Sequence, residues 1–395
     1  MKGKKRHEFF YKLAWNFFHR SLARKFNFEF DKIDAGYSPY IVVANHLTNW
    51  DPLLIGLSFK KPMYYVASDH ILRKGLISRL LEFAIAPIAR VKTAQETQTV
   101  ISIFRHLKEK SSICIFAEGT TSFDGETGEV QPSIGKLVKR SGAALVTYRF
   151  SGAYLTFPRW ARFYRRGKIE GRLAQIYSPE KLALMSEEEI YTAVKNDIYV
   201  NAYKDQEKNM IAFNGKKPAE CLETVLYCCP ECRQFGTLKS RGDILSCLCG
   251  FKVRYNEFCY FEIPGSKEPP ALKTITDWVK WERAEIKAYI QKNPGSGVPV
   301  TSDDEQELYE IARARRSTLI AKGKLCMYTD RLTVTSKSGH IHEFPLNGII
   351  DMSVITMKTI VFAAEHKIFE IHSGHPRSAL KYMDMLKAFK ETKKE

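Results

Sequence analysis

The chain has 395 residues, 44% of them hydrophobic and 12% aromatic, which is core material for more than one domain and excludes a disordered chain. With 61 Lys and Arg against 44 Asp and Glu the formal charge is +17 at pH 7, so an anionic partner is expected: nucleic acid, an acidic membrane surface or a phosphorylated substrate. Nine cysteines, an odd number in a chain without an export signal, argue against a disulfide framework and for reduced thiols and metal ligation in the cytoplasm.

The first element, within a region spanning 1–34, opens with the basic run MKGKKRHEFF. Lys12, Asn16 and Arg20 break the following stretch and no small-residue cleavage site appears, so no signal peptide is expected. Phe10, Leu13, Ala14, Phe17, Phe18 and Leu22 recur at helical spacing between Lys4, Lys5, Arg6, Lys12, Arg20 and Arg24, the pattern of a basic amphipathic helix. Two readings stand: a helix packed on its own domain, or one lying on anionic lipid with Trp15 at the interface. Further on, LISRLLEFAIAPIARV is interrupted by Arg79 and Glu82 and falls short of a transmembrane helix, so the expected location is peripheral, on the inner face of the membrane.

Over 35–223 the apolar runs YIVVANH, SSICIFAEG and GAALVTY alternate with helical stretches, which predicts an α/β domain, closed by a helix capped by Ser186 and Glu189. A cysteine-rich segment at 224–262 follows, then a linker at 263–297 with a helix over TITDWVKWERAEIKAYIQK and the breaker-rich NPGSGVP. The remainder, 298–395, reads as a series of short strands ended by an amphipathic helix, a mostly-β domain.

One stretch of the α/β domain carries chemistry. In VVANHLTNWDP, His46 ends an apolar run and Asp51 stands five residues on, before Pro52. A histidine at the end of a strand sits where an open α/β sheet places its ligands, whereas Asp51 before proline is also a good N-cap for a helix starting at DPLLIGL. NHLTNWDP, APIAR ending at Arg90, FAEGTTS from Phe116 and ALVTYRFSG follow in the order of four sequence blocks and resemble the glycerophospholipid acyltransferase family, in particular its 1-acylglycerol-3-phosphate O-acyltransferase group, over roughly the first half of the chain.

The resemblance implies that His46 is the general base, oriented by Asp51, that the acceptor's own hydroxyl is the nucleophile and that no acyl-enzyme forms. It also implies a substrate-binding set of Asn45, Arg90, Lys92, Glu118, Gly119 and Thr120, with Arg90 on the acceptor phosphate, Asn45 shaping its own turn and Glu118 bracing Arg90 or a neighbouring helix. The expected reaction moves a fatty acyl group from acyl-CoA or acyl carrier protein to the free hydroxyl of a lysophosphatidate-like lysophospholipid, with no catalytic cofactor. Three positions depart from the family pattern: Ala117 and Thr121 stand where members carry proline and arginine, and Thr147 where they carry proline. Downstream, FPRWARFYRRGK interleaves Arg159, Arg162, Arg165, Arg166 and Lys168 with aromatics and reads as a rim facing the membrane.

In the cysteine-rich segment, Cys229 and Cys232 form a C-x-x-C knuckle, and Cys247 and Cys249 a C-x-C knuckle followed by Gly250. Four thiolates suit a closed structural zinc site, the segment resembles a zinc ribbon, and Cys228 competes with Cys229 for the first position. The strand series from KGKLCMYTDRLTV onward looks like a pleckstrin-homology or GRAM-type barrel. The rival to an enzyme is a catalytically degenerate zinc-ribbon protein that binds nucleic acid or anionic lipid through its basic surface, with nucleic acid the disfavoured partner.

Overall fold

The computed structural model describes residues 2–68, 87–90, 96–311, 317–375 and 377–393. The chain divides into two compact units, Met1–Arg159 with Tyr164–Gly215, and Trp160–Phe163 with Lys216–Glu395.

The first unit is built on a seven-stranded mixed sheet with strands β1 (Phe28–Phe30), β2 (Tyr40–Ala44), β3 (Met63–Ser68), β4 (Ile88–Arg90), β5 (Ser112–Phe116), β6 (Ala144–Ser151) and β8 (Ile169–Tyr177). The order is β1-β8-β6-β2-β5-β3-β4, and β7 (Arg165–Arg166) pairs separately with β9 (Asn214–Gly215). All five residues of β2 are buried, as a central parallel strand covered on both faces requires, and this explains its unbroken apolar run. Ile41, Val43, Ile113 and Leu145 from the sheet pack with Ile134 and Val138 of helix Ser133–Ser141 and with Ile190 and Val194 of helix Glu187–Asp197. That last helix begins at the expected capping box: Ser186 Oγ accepts from the Glu189 amide and the Glu189 carboxylate accepts from the Ser186 amide.

Register places the site. Ala44 of β2 is level with Phe116 of β5 and with Tyr148 of β6, its parallel neighbours on either side. Asn45–His46 and Ala117–Glu118 therefore leave the sheet together at its carboxyl edge, beside Phe150, where open α/β sheets hold ligands.

Helix Lys2–Phe26 has two faces. Inward, His7 is buried against the Tyr64 ring at 4.3 Å, and the Tyr11 hydroxyl lies 2.6 Å from the Gly56 carbonyl oxygen and 2.8 Å from that of Phe59. Outward, Phe9, Leu13 and Phe17 follow one another at four-residue spacing and are 61%, 41% and 71% exposed. Trp15 and the segment 69–86, which holds most of LISRLLEFAIAPIARV, lie outside the described side chains; among the described residues no helix is long and apolar enough to cross a membrane.

In the second unit, β10 (Leu238–Arg241), β11 (Ile244–Cys247), β12 (Lys252–Tyr255) and β13 (Phe261–Glu262) form a small antiparallel sheet that carries the cysteines. Seven further strands, β14 (Thr301–Ile311), β15 (Ser317–Met327), β16 (Arg331–Ser336), β17 (Ile341–Pro345), β18 (Ile349–Thr356), β19 (Thr359–Ala364) and β20 (Lys367–Ser373), pair antiparallel in the order β17-β16-β15-β14-β20-β19-β18 and are followed by helix Leu380–Thr392. Between the two sheets in sequence runs helix Ile275–Lys292, capped by Thr274, whose hydroxyl accepts from the Asp277 amide. Its Glu282 is fully buried and accepts from the Tyr227 and Cys228 amides, while Trp278 Nε1 donates to the Cys228 carbonyl, so the helix grips the chain just before the first knuckle.

Candidate active site and metal centre

His46 Nδ1 lies 2.8 Å from Asp51 Oδ2. The cap reading of Asp51 needs correcting, because the N-cap of helix Asp51–Ser58 is Trp50 and Asp51 is its first helical residue. Its carboxylate turns back onto the preceding loop. Oδ2 accepts from the amides of Leu47 at 2.6 Å and Thr48 at 2.9 Å, and Oδ1 accepts from the Thr48 hydroxyl at 2.9 Å. The carboxylate is fully buried, and these donors fix its direction. The Phe116 ring stacks on the imidazole at 4.2 Å and fixes its plane, and the His46 side chain keeps 17% of its surface open to solvent.

The main chain of His46 is held from both sides. Its amide donates to Glu118 Oε1 at 2.6 Å, and its carbonyl accepts from the Ser122 amide at 2.8 Å. Glu118 Oε2 takes the Gly128 amide at 2.6 Å, so the carboxylate braces the His46 backbone and the following loop; of the partners expected for it, the Arg90 side chain lies outside the described residues. Burial pushes the Glu118 carboxyl up to about 8, helped by the Asp51 and Asp124 carboxylates and opposed by the two amides.

Asn45 is fully buried and does not bond within its own turn. Its Nδ2 donates to the Phe150 carbonyl at 3.0 Å and its Oδ1 accepts from the Phe150 amide at 2.8 Å, which extends the β2–β6 ladder by one side-chain rung. The amide thus holds the strand end. Gly119, at φ 69°, makes the turn out of β5 and, with Thr120, is the partly exposed portion of the loop. Arg90 ends β4, but its side chain, like Lys92 as a whole, lies outside the described residues.

Several contributors escaped the sequence reading: Phe116 beneath the imidazole, Thr48 on Asp51, and Arg159 on the loop after Glu118. The basic-aromatic run does not form a uniform rim, since Trp160 and Arg165 are buried while Arg162, Phe163, Tyr164 and Arg166 are exposed.

In the second unit the sulfur atoms of Cys229, Cys232, Cys247 and Cys249 lie within 4.8 Å of one another, with Cys229–Cys249 and Cys232–Cys247 each at 3.7 Å. A tetrahedral zinc with bonds of about 2.3 Å has sulfur–sulfur edges of about 3.8 Å, so the four residues fit that ion. Cys228, the competitor for the first position, instead directs its Sγ toward the Arg233 carbonyl at 3.7 Å.

Residues 25–151 match the family model described as Acyltransferase. No curated protein matches the chain. Among solved structures, the chain is similar to the 1-acyl-sn-glycerophosphate (LPA) acyltransferase PlsC from Thermotoga maritima, at 19% identity and TM-score 0.42 over 53% of this chain and 84% of that one. It is also similar to the Vps36 N-terminal PH domain, at 10% identity and TM-score 0.20 over 25% of this chain and 83% of that one. At these scores neither likeness adds to the family match.

Proposed function

We propose that the chain, whose residues 25–151 match the Acyltransferase family model, is a member of the glycerophospholipid acyltransferase family and transfers a fatty acyl group from acyl-CoA or acyl carrier protein to the free hydroxyl of a lysophospholipid, lysophosphatidate being the type of acceptor. The observation that carries this reading is the His46–Asp51 pair at the carboxyl edge of the sheet. With Nδ1 on the carboxylate, the neutral imidazole carries its proton there and offers Nε2, which has no hydrogen-bond partner among the described residues, as the base. As the acceptor oxygen attacks the thioester carbon, its proton passes to Nε2. The carbon–sulfur bond then breaks, and the departing thiolate recovers that proton from the imidazolium. Asp51 stabilises the imidazolium between these steps. Arg90 and Lys92 are assigned to the acceptor phosphate by their block position, and Glu118 fixes the backbone of the base.

Zinc in the four-cysteine centre has a structural role in this reading. The outward Phe9, Leu13 and Phe17 stripe, with Lys12, Arg20 and Arg24 exposed on the same helix, supports docking on an anionic membrane surface. Incubating purified protein with lysophosphatidate and each donor class, followed by mass spectrometry of the lipids, tests the assignment: a new diacyl product dependent on His46 is expected, and its absence with both donors would refute the reading.

A further inference from the structure

Arg159 follows the short helix Ala153–Thr156 after β6, and its side chain crosses to the loop after β5. Nη1 donates to the Thr120 hydroxyl oxygen at 2.8 Å and to the Thr121 carbonyl oxygen at 3.1 Å, and the guanidinium lies over the Phe123 ring at 3.9 Å. Three neighbouring residues of one loop are held by one side chain. Burial lowers its pKa only to about 10, so it is charged at neutral pH.

The same loop is tied to the base. Glu118 bonds the His46 amide and Ser122 bonds the His46 carbonyl, so residues 119–121 span the short distance between two attachments to one residue. Thr120 is partly exposed at the middle of that span. A hydroxyl whose oxygen accepts from a cation must turn its own hydrogen away from it, and the cation strengthens that hydrogen as a donor.

We infer that Arg159 is a positioning residue of the His46 site: it holds the 119–123 loop and turns the Thr120 hydroxyl outward as a donor to an anionic oxygen of the substrate. Thr121 carries no charge, and Arg159 brings one to its carbonyl from the turn after helix Ala153–Thr156. The role in turnover rests on the acyl-transfer reading; the hold on the loop does not.

The test uses the full chain with Arg159→Ala, Arg159→Lys, Thr120→Val and the Arg159→Ala/Thr120→Val double variant. Amide exchange comes first. Arg159→Ala should speed exchange at Ser122 and in 119–123, with Arg159→Lys intermediate and distant peptides unchanged; an unchanged loop overturns the proposal whatever the turnover. Kinetics come second, with matched phosphate-bearing and phosphate-free acceptors. Arg159→Ala and Thr120→Val should each lower kcat/KM by about 10- to 100-fold. The double variant should be no worse than the worse single one, because both remove the same donor. Added guanidinium ion should restore part of the Arg159→Ala rate but none of the Thr120→Val rate. A loss confined to the phosphate-bearing acceptor places the anionic oxygen on the phosphate, and an equal loss on both places it on the reacting carbonyl. Additive losses, or no rescue, would overturn the coupling through Thr120. If the wild-type chain acylates neither acceptor, the acyl-transfer reading fails, while amide exchange still decides whether Arg159 holds the loop.

Discussion

The His46 site and the four-cysteine centre hold their shapes in different ways. Around His46, a buried carboxylate receives two amides, a hydroxyl and an imidazole, and the loop after β2 that delivers them is placed by that strand's register with β5 and β6, so the geometry is complete within the protein. In the cysteine centre, four sulfur atoms are gathered from a stretch of 21 residues on a sheet with strands of at most four residues, and four thiolates at such range would need a cation among them. A site of the first kind loses chemistry when its central residue is removed; a site of the second kind loses structure.

The largest expected effect breaks the second site. Structural zinc contributes an apparent free energy of about 10–16 kcal/mol in zinc-finger peptides. Cys232→Ser or Cys247→Ser should therefore release the one zinc per chain and expose 224–260 to rapid amide exchange, leaving exchange in the 40–150 sheet region as in wild type. Metal analysis of carefully purified wild-type protein that finds no zinc would remove the contrast altogether.

Next in size is His46→Ala. Losing the general base should reduce acyl transfer by about 10²- to 10⁴-fold, with little change in the thermal midpoint, since the imidazole is partly exposed and its backbone bonds survive. Asp51→Asn separates orientation from charge. Its amide oxygen can take the position of Oδ2 and its nitrogen can donate to the Thr48 hydroxyl, which rotates to accept, so the fold should stand while turnover falls to a trace. Unfolding of either variant would make the dyad structural.

How far the sequence led follows from the range of each interaction. The strand run YIVVA, the Ser186–Glu189 capping box, helix Ile275–Lys292 and the two cysteine knuckles are local patterns and were legible. His46 and Asp51, five residues apart, were legible as a pair, but the carboxylate's position was not, because a proline after an aspartate signals a cap and does not reveal that the carboxylate turns back to the 47–48 amides. Asn45 on Phe150, 105 positions away, and Arg159 on Thr120, 39 away, depend on which strands lie side by side. No spacing rule reaches that far.

A third effect, smaller, sharpens the claim that the His46 site is complete in itself. Both oxygens of Glu118 accept amides, so Glu118→Gln sets its NH₂ against the N–H of His46 or Gly128 and should cost about 1–3 kcal/mol. The sign of the pH effect follows from its raised pKa, about 8 in the fold. Between the ordinary carboxylate range and that value the folded chain binds the extra proton and the unfolded chain does not. The contribution is full below the ordinary range and is lost as pH rises toward about 8. Thermal midpoints measured from pH 5 to 8 should therefore decline more steeply for wild type than for the glutamine variant, and matching slopes would assign the titration to another group.

The smallest effect concerns the first helix, whose outward face neither site requires. A juxtamembrane cation contributes about 1 kcal/mol on an anionic surface and is screened within a Debye length of about 8 Å at physiological salt. Arg20 and Arg24 are both exposed, so Arg20→Glu with Arg24→Glu reverses two charges without touching the inward contacts of His7 and Tyr11. Sedimentation with vesicles containing phosphatidylserine should show binding weakened by more than tenfold at low salt, with the difference shrinking as salt rises. Phe17→Ser should weaken binding at every salt concentration, because apolar insertion is not screened. Turnover of a detergent-dispersed acceptor should be unchanged in all these variants. If the charge-reversed and wild-type chains bind anionic vesicles equally at low salt, the cationic part of the helix is a solvated surface and the membrane is met elsewhere.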